Sequence, residues 1–211
     1  MQPAPSSTAA VVVAIDGPAA SGKSSVARQL ARRLGFAYVN SGALYRSATW
    51  FVLEGGLEAR AAAMAAAHAF TPAPGVEPDP SLFEARINAH VSAVSSVPEV
   101  RAVLTDKLRS FAEAAPGVVM EGRDIGSAVF PHTPYKFYID ASLEVRAQRR
   151  AGQVGTGSDD LQARDRTDST RRTSPLIIAE DAHVIDSSRL TIDGVVGEII
   201  GRLKLKGLAV E

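Results

Sequence analysis

Cysteine is absent from all 211 residues, which removes disulfides, thiolate metal ligands and cysteine nucleophiles together. Histidine is almost as scarce: His68, His90, His132 and His183 are scattered without the spacing of a metal site. Net charge is missing too. With 23 Lys plus Arg against 23 Asp plus Glu, no overall field favours nucleic acid or an anionic membrane surface, so any anion site must be local. No apolar run reaches the roughly 20 residues of a membrane span, because the Ala-rich stretch at 59–70 is interrupted by charge at Glu58 and Arg60 and by His68. Residues 1–10, with Pro3, Pro5, Ser6, Ser7 and Thr8, lack the basic and apolar regions of a targeting signal and are expected to form a frayed tail. These absences point to a soluble, cytoplasmic chain, monomeric and free of nucleic acid and membrane, with one domain over 11–211.

Against that background one segment is specific. Gly17-Pro18-Ala19-Ala20-Ser21-Gly22-Lys23-Ser24 fits the GxxxxGKS phosphate-binding loop. Ahead of it, Val11-Val12-Val13-Ala14-Ile15 is a continuous apolar run, as in a parallel strand covered on both faces. Behind it, Val26, Leu30 and Leu34 recur at four-residue spacing beside Ala27 and Ala31, which predicts a helix over about 23–33 ended by Gly35. Strand, loop and helix N-terminus let backbone N–H groups surround a polyphosphate, with Lys23 on the terminal phosphates and the Ser24 hydroxyl facing Mg²⁺. ATP contacts are expected from Gly17, Pro18, Ala19, Ala20, Ser21, Gly22, Lys23, Ser24 and Ser25.

The remaining chain alternates strand and helix patterns. Short apolar runs at 36–39, 118–120, 136–139 and 183–185 predict four more strands. Helices are expected at about 42–53 with Ser41 as cap, at 57–70, on either side of Pro98, from Ser142 through Ala151, and over 191–204. In the last, Ile192, Val195, Val196, Ile199, Ile200 and Leu203 should face the core. Four prolines between Thr71 and Pro80 forbid regular structure there. The stretch 152–159, with Gly155 and Gly157, is polar and flexible, and a dense Arg and Asp run over 164–172 follows it; together, about 150–172 suit a mobile lid. The pattern is α/β, with about five parallel central strands and the ligand beyond their carboxyl ends. Arginine outnumbers lysine 18 to 5, and several arginines fall in the loops at those ends, where planar, two-pronged phosphate recognition is useful.

The loop alone names a phosphoryl donor and not a reaction. Neither Asn40 nor Asn88 precedes a lysine, so the guanine-reading pair of a GTPase is missing. Three further segments, Ser41-Gly42-Ala43-Leu44-Tyr45-Arg46, Glu121-Gly122-Arg123-Asp124-Ile125-Gly126 and the Arg164, Asp165, Asp168, Arg171 run, follow the loop in order. With Ile185-Asp186-Ser187, they make the chain resemble bacterial cytidylate kinases over about residues 11–200.

That resemblance implies a three-layer P-loop NTPase fold with a lid, an acceptor-binding insert at about 41–101, and transfer of phosphate from ATP with Mg²⁺ to CMP or dCMP. It further implies that Ser41, Arg46 and Arg123 hold the acceptor phosphate and that Ser92, Arg101 and Asp124 read the cytosine. Arg164 and Asp168 would hold the ribose, and Arg171 would reach phosphate from the lid. Lys23, Arg123, Arg150 and Arg171 would screen charge at the transfer itself. A phosphate monoester is mostly a dianion at neutral pH, so no general base is required and positioning with cationic screening carries the chemistry. Three features depart from the family pattern: the insert is short and Pro-rich, Asn40 and Glu121 stand where Asp is common, and Ala20 and Ser21 alter the loop. A kinase for UMP, shikimate or another small acceptor shares the same features, and a nucleotide-binding module without catalysis is the alternative outside enzymes.

Overall fold

The computed structural model describes residues 10–56, 58, 61, 78–154 and 158–210. Most of the tail, almost all of the expected helix at 57–70, the prolines up to Gly75 and both lid glycines at 155 and 157 lie outside the described residues. Five strands, β1 (Val11–Asp16), β2 (Ala37–Asn40), β3 (Gly117–Glu121), β4 (Tyr135–Asp140) and β5 (His183–Asp186), form one sheet in the order β2-β3-β1-β4-β5, and every pairing is parallel. The apolar runs in β1 and β3 follow from this central position: Val13, Ala14, Ile15, Val118, Val119 and Met120 have no exposed surface.

Helices cover both faces, completing three layers. On one face α1 (Lys23–Leu34) and α7 (Ile192–Leu205) bury Val26, Leu30, Val195, Ile199 and Leu203 against Ile15, Phe137 and Ile139. On the other, α2 (Ser41–Gly55), α3 (Ala85–Ser95) and α4 (Pro98–Glu113) bury Leu44, Val91, Leu104 and Leu108 against Val39, Val118 and Met120. Between β4 and β5 lie α5 (Leu143–Val154) and α6 (Ser158–Thr170).

Four sequence expectations need correction. Ser41 does not cap α2; the Asn40 side chain does, accepting from the Ala43 N–H at 3.0 Å, and the Ser41 hydroxyl is instead drawn to the Glu121 carbonyl at 2.7 Å. Ile192 is 44 % exposed because the first turn of α7 reaches past the sheet to the edge of a cleft. The described part of 152–159, expected to be flexible, is helical: α5 continues through Gly152 to Val154 and α6 begins at Ser158, so the Arg and Asp run belongs mostly to a helix. Pro80 opens a short 3₁₀ turn (Pro80–Phe83), with Asp79 accepting from the Ser81 N–H, since proline suits a first helical position.

Leu108 is fully buried in the cluster between α4 and the sheet. Leu108→Ala should therefore lower unfolding stability by about 2–5 kcal/mol in urea titrations; a loss under about 1 kcal/mol would mean that this layer does not carry the fold.

Candidate active site

All parallel strands end at one edge of the sheet, and a cleft of about 420 Å³ opens there. Its donor side is the glycine-bounded loop. Gly17 stands at φ 150, where a Cβ would lie 2.1 Å from the Ile139 carbonyl oxygen, and Gly22 stands at φ 90 just before α1. Ala20 also takes a left-handed conformation, φ 60, a costly one for a residue with a Cβ. Ala19, Ala20, Ser21, Gly22, Lys23, Ser24 and Ser25 all line the cleft, whereas Gly17 and Pro18 shape the loop from behind. Lys23 is 5 % exposed and its ammonium donates to the Pro18 carbonyl at 2.9 Å. Burial, then the charge of Arg123, brings its pKa down to about 7, with Glu121 opposing.

The acceptor side is built from cations and a chain of ion pairs. Arg46 lines the cleft and is steadied by Asn88 Oδ1 (3.3 Å), the Gly42 carbonyl (2.9 Å) and the Phe83 ring (4.8 Å). Burial, then the like charges of Arg164 and Arg123, press its guanidinium below the usual range. Arg101 from α4 pairs with one oxygen of Asp124, and Arg171 approaches the other at 3.4 Å. Arg171 also faces Asp168 at 3.7 Å, and Asp168 accepts from Arg123 at 3.1 Å. The chain thus runs Arg101, Asp124, Arg171, Asp168, Arg123 from α4 to the loop after β3, through two residues of the lid region. Arg101, Asp124 and Asp168 are each at most 5 % exposed. Ser92 lines the cleft beside them, and among the described residues the buried Tyr45 Oη and Arg101 Nε have no hydrogen-bond partner.

Every acceptor and lid residue expected from the sequence, Ser41, Arg46, Ser92, Arg101, Arg123, Asp124, Arg150, Arg164, Asp168 and Arg171, lines this one cleft. Arg171 sits beside Asp124, and its Nε donates to the Ser174 carbonyl at 2.5 Å. The sequence groups Arg149 with Arg146 and Arg150 on one helix face that could point at a triphosphate, and favours Arg150 as the contact. The Arg149 guanidinium bonds the Ser21 carbonyl (3.2 Å) and the Ser187 hydroxyl (3.1 Å) and carbonyl (2.8 Å), tying α5 and the end of β5 to the phosphate loop. Leu190 and Ile192, 41 % and 44 % exposed, make an apolar wall beside them.

Among the described residues no group of three or more histidine, aspartate or glutamate side chains is arranged to hold a metal. Ser24 and the 2 % exposed Glu121, which accepts from Tyr38 Oη at 2.9 Å, do line the cleft with Lys23. These hard oxygen donors suit Mg²⁺ that is mainly coordinated by phosphate oxygens.

A parallel sheet, a glycine-bounded loop feeding a helix, and a cation-lined cleft define a phosphotransferase of the P-loop class. The cytidylate kinase family model matches residues 13–205. A cytidylate kinase of Rhodospirillum rubrum is 42 % identical over 198 residues, covering 87 % of this chain and 92 % of that protein. One of Nocardia farcinica is 44 % identical over 212 residues, covering 90 % and 91 %. The chain belongs to the cytidylate kinase family.

The lowered pKa of Lys23 makes triphosphate binding proton-linked. At about pH 8 the amine of the empty protein is mostly neutral, and a polyanion favours its charged form, so binding should take up close to one proton. Titration calorimetry of Mg-nucleoside triphosphate in buffers of different ionisation enthalpy should reveal that uptake, which fades below about pH 6 and vanishes in Lys23→Met. A buffer-independent heat would contradict it.

Proposed function

We propose that the protein transfers the terminal phosphoryl group of ATP to CMP and dCMP, giving CDP and dCDP, with Mg²⁺ accompanying the ATP. The observation that carries the reading is the double pairing of Asp124. Flanked by Arg101 and Arg171, its carboxylate turns acceptor oxygens toward the cleft. Cytosine offers an exocyclic amine to such an oxygen and an N3 acceptor to a guanidinium. Uracil presents an oxygen and an N–H at those two places, so both polarities clash, and rejection by about tenfold or more follows from leaving buried polar groups unpaired.

The donor lies on the other wall. Backbone N–H groups of the loop and Lys23 take the triphosphate, Ser24 and Glu121 orient the metal on it, and the apolar surface of Leu190 and Ile192 suits a purine ring. Mg²⁺ supplies charge neutralisation between the two phosphates. Arg46, Arg123 and Ser41 hold the acceptor phosphate in line, Arg164 and Asp168 take the ribose, and Arg150 and Arg171 complete the cationic surround. With an already ionised acceptor, the residues need only position and screen. The lid would exclude water as a competing acceptor. A soluble, cytoplasmic monomer accords with a small-molecule substrate; among the described residues no helix is long and apolar enough to cross a membrane.

A coupled assay with ATP and a panel of CMP, UMP, AMP and shikimate tests the assignment. CMP should turn over fastest; equal turnover of UMP would refute the cytosine reading, and ATP binding without transfer to any acceptor would refute catalysis. Lys23→Ala should cut turnover about a hundredfold or more, the scale of losing a preorganised charge stabiliser. Asp124→Ala should raise the CMP KM and relax base choice, and an unchanged CMP to UMP ratio would remove Asp124 from recognition.

A further inference from the structure

Asp16 is the last residue of β1 and directly precedes the phosphate loop, yet its side chain does not line the cleft and touches nothing on the donor side by hydrogen bonding. It is 5 % exposed. One carboxylate oxygen accepts the Ile125 N–H at 2.8 Å and the other accepts the Gly126 N–H at 2.7 Å. Those amides belong to the residues immediately after Asp124, where the chain enters a wide turn (Ile125–Val129). The Asp124 carbonyl closes that turn by accepting from Ala128 (2.9 Å) and Val129 (3.1 Å), and the Gly122 N–H donates to the Ile15 carbonyl at 2.9 Å. The whole strip Gly122–Gly126 therefore hangs from the end of β1, by two bonds to one side chain and one to the backbone. Gly126 permits the approach: a Cβ there would lie 3.4 Å from Asp16 Oδ2 and 3.1 Å from Lys136 Cγ.

We propose that Asp16 is a positioning residue that sets the Asp124 carboxylate for base selection, coupling the root of the donor loop to the acceptor pocket without touching either substrate. A carboxylate is suited to the task because both oxygens accept, so the two adjacent amides are fixed together. An asparagine of the same shape has one acceptor, and its NH₂ would face the second amide donor to donor. Because Asp124 itself is clamped by Arg101 and Arg171, a shift of its backbone has to be absorbed by the ion pairs. Small misplacements of that kind have large effects on bound geometry. Burial pushes the Asp16 carboxyl up to about 6, against the two amides and Lys23, while Asp124 adds to the rise; an internal carboxylate held at that cost is consistent with work done at the turn.

The inference rests on the CMP reading above, and the experiment separates the two. Steady-state kinetics with CMP and UMP are compared for the wild type, Asp16→Asn, Asp124→Asn and the double variant. Asp16→Asn should raise the CMP KM about tenfold and lower the CMP to UMP preference by a similar factor, while the ATP KM changes less than about twofold. In the Asp124→Asn background it should leave the preference unchanged, since both act through one carboxylate. Equal rises in the ATP and CMP KM, or an additive loss of preference, would show a merely structural role and overturn the proposal. If Asp16→Asn does not fold, Gly126→Ala carries the test: it keeps the carboxylate while its Cβ, 3.1 Å from Lys136 Cγ, shifts the turn that carries the two amides, and should raise the CMP KM about threefold with the ATP KM unmoved, whereas no rise overturns the proposal. A wild type without CMP preference overturns the reading and the inference together; a selective wild type with an unaffected Asp16→Asn overturns the inference alone.

Discussion

Cations crowd one cleft in a chain without net charge, among them Lys23, Arg46, Arg123, Arg150 and Arg164. Burial, and after it the like charges nearby, depress the pKa values of Lys23 and Arg46. The fold imposes the crowding. Because all five strands are parallel, their carboxyl ends share one edge, and the loops and helices that follow them empty their polar residues into the same space. Such a cluster is stable only with counter-charge, and the two phosphates of the reaction are the fitting partners.

Part of that counter-charge is internal. Glu121, Asp124 and Asp168 are almost fully buried among the cations, and the chain of pairs from Arg101 to Arg123 leaves each carboxylate with hydrogen-bonded or ionic partners before a ligand enters. Buried pairs of this kind add little net stability, but they fix geometry and charge state. Asp124 and Asp168 each face two arginines, and Asp168 and Arg171, from and just after α6, join the helices between β4 and β5 to the loop after β3 through this one chain.

The sequence carried the parts whose signals are local. The run Val11–Ile15, the glycines at 17 and 22, and the stripe Val26, Leu30, Leu34 each express a backbone requirement within a few residues, and all three elements formed as expected. The five strands were legible because buried parallel strands are short unbroken apolar runs. Less legible were choices between neighbours. Asn40 and Ser41 are both good caps, and the selection of Asn40 depended on the Glu121 carbonyl, 80 residues away, drawing off the serine. Arg149 and Arg150 look alike in sequence; only the arrival of Ser187 and Ser21 from distant segments separates their environments. Asp16 was marked only as the residue that precedes the loop, since its partners are backbone amides more than 100 residues away.

If the doubly paired Asp124 carboxylate selects the base, an amine-bearing pyrimidine monophosphate should be held more tightly than its oxo counterpart. Titration calorimetry of CMP and UMP into the empty protein, in the same buffer at neutral pH, tests it most directly. The account predicts that CMP binds more tightly by about tenfold or more, roughly 1.4 kcal/mol per tenfold. Equal affinities would contradict it.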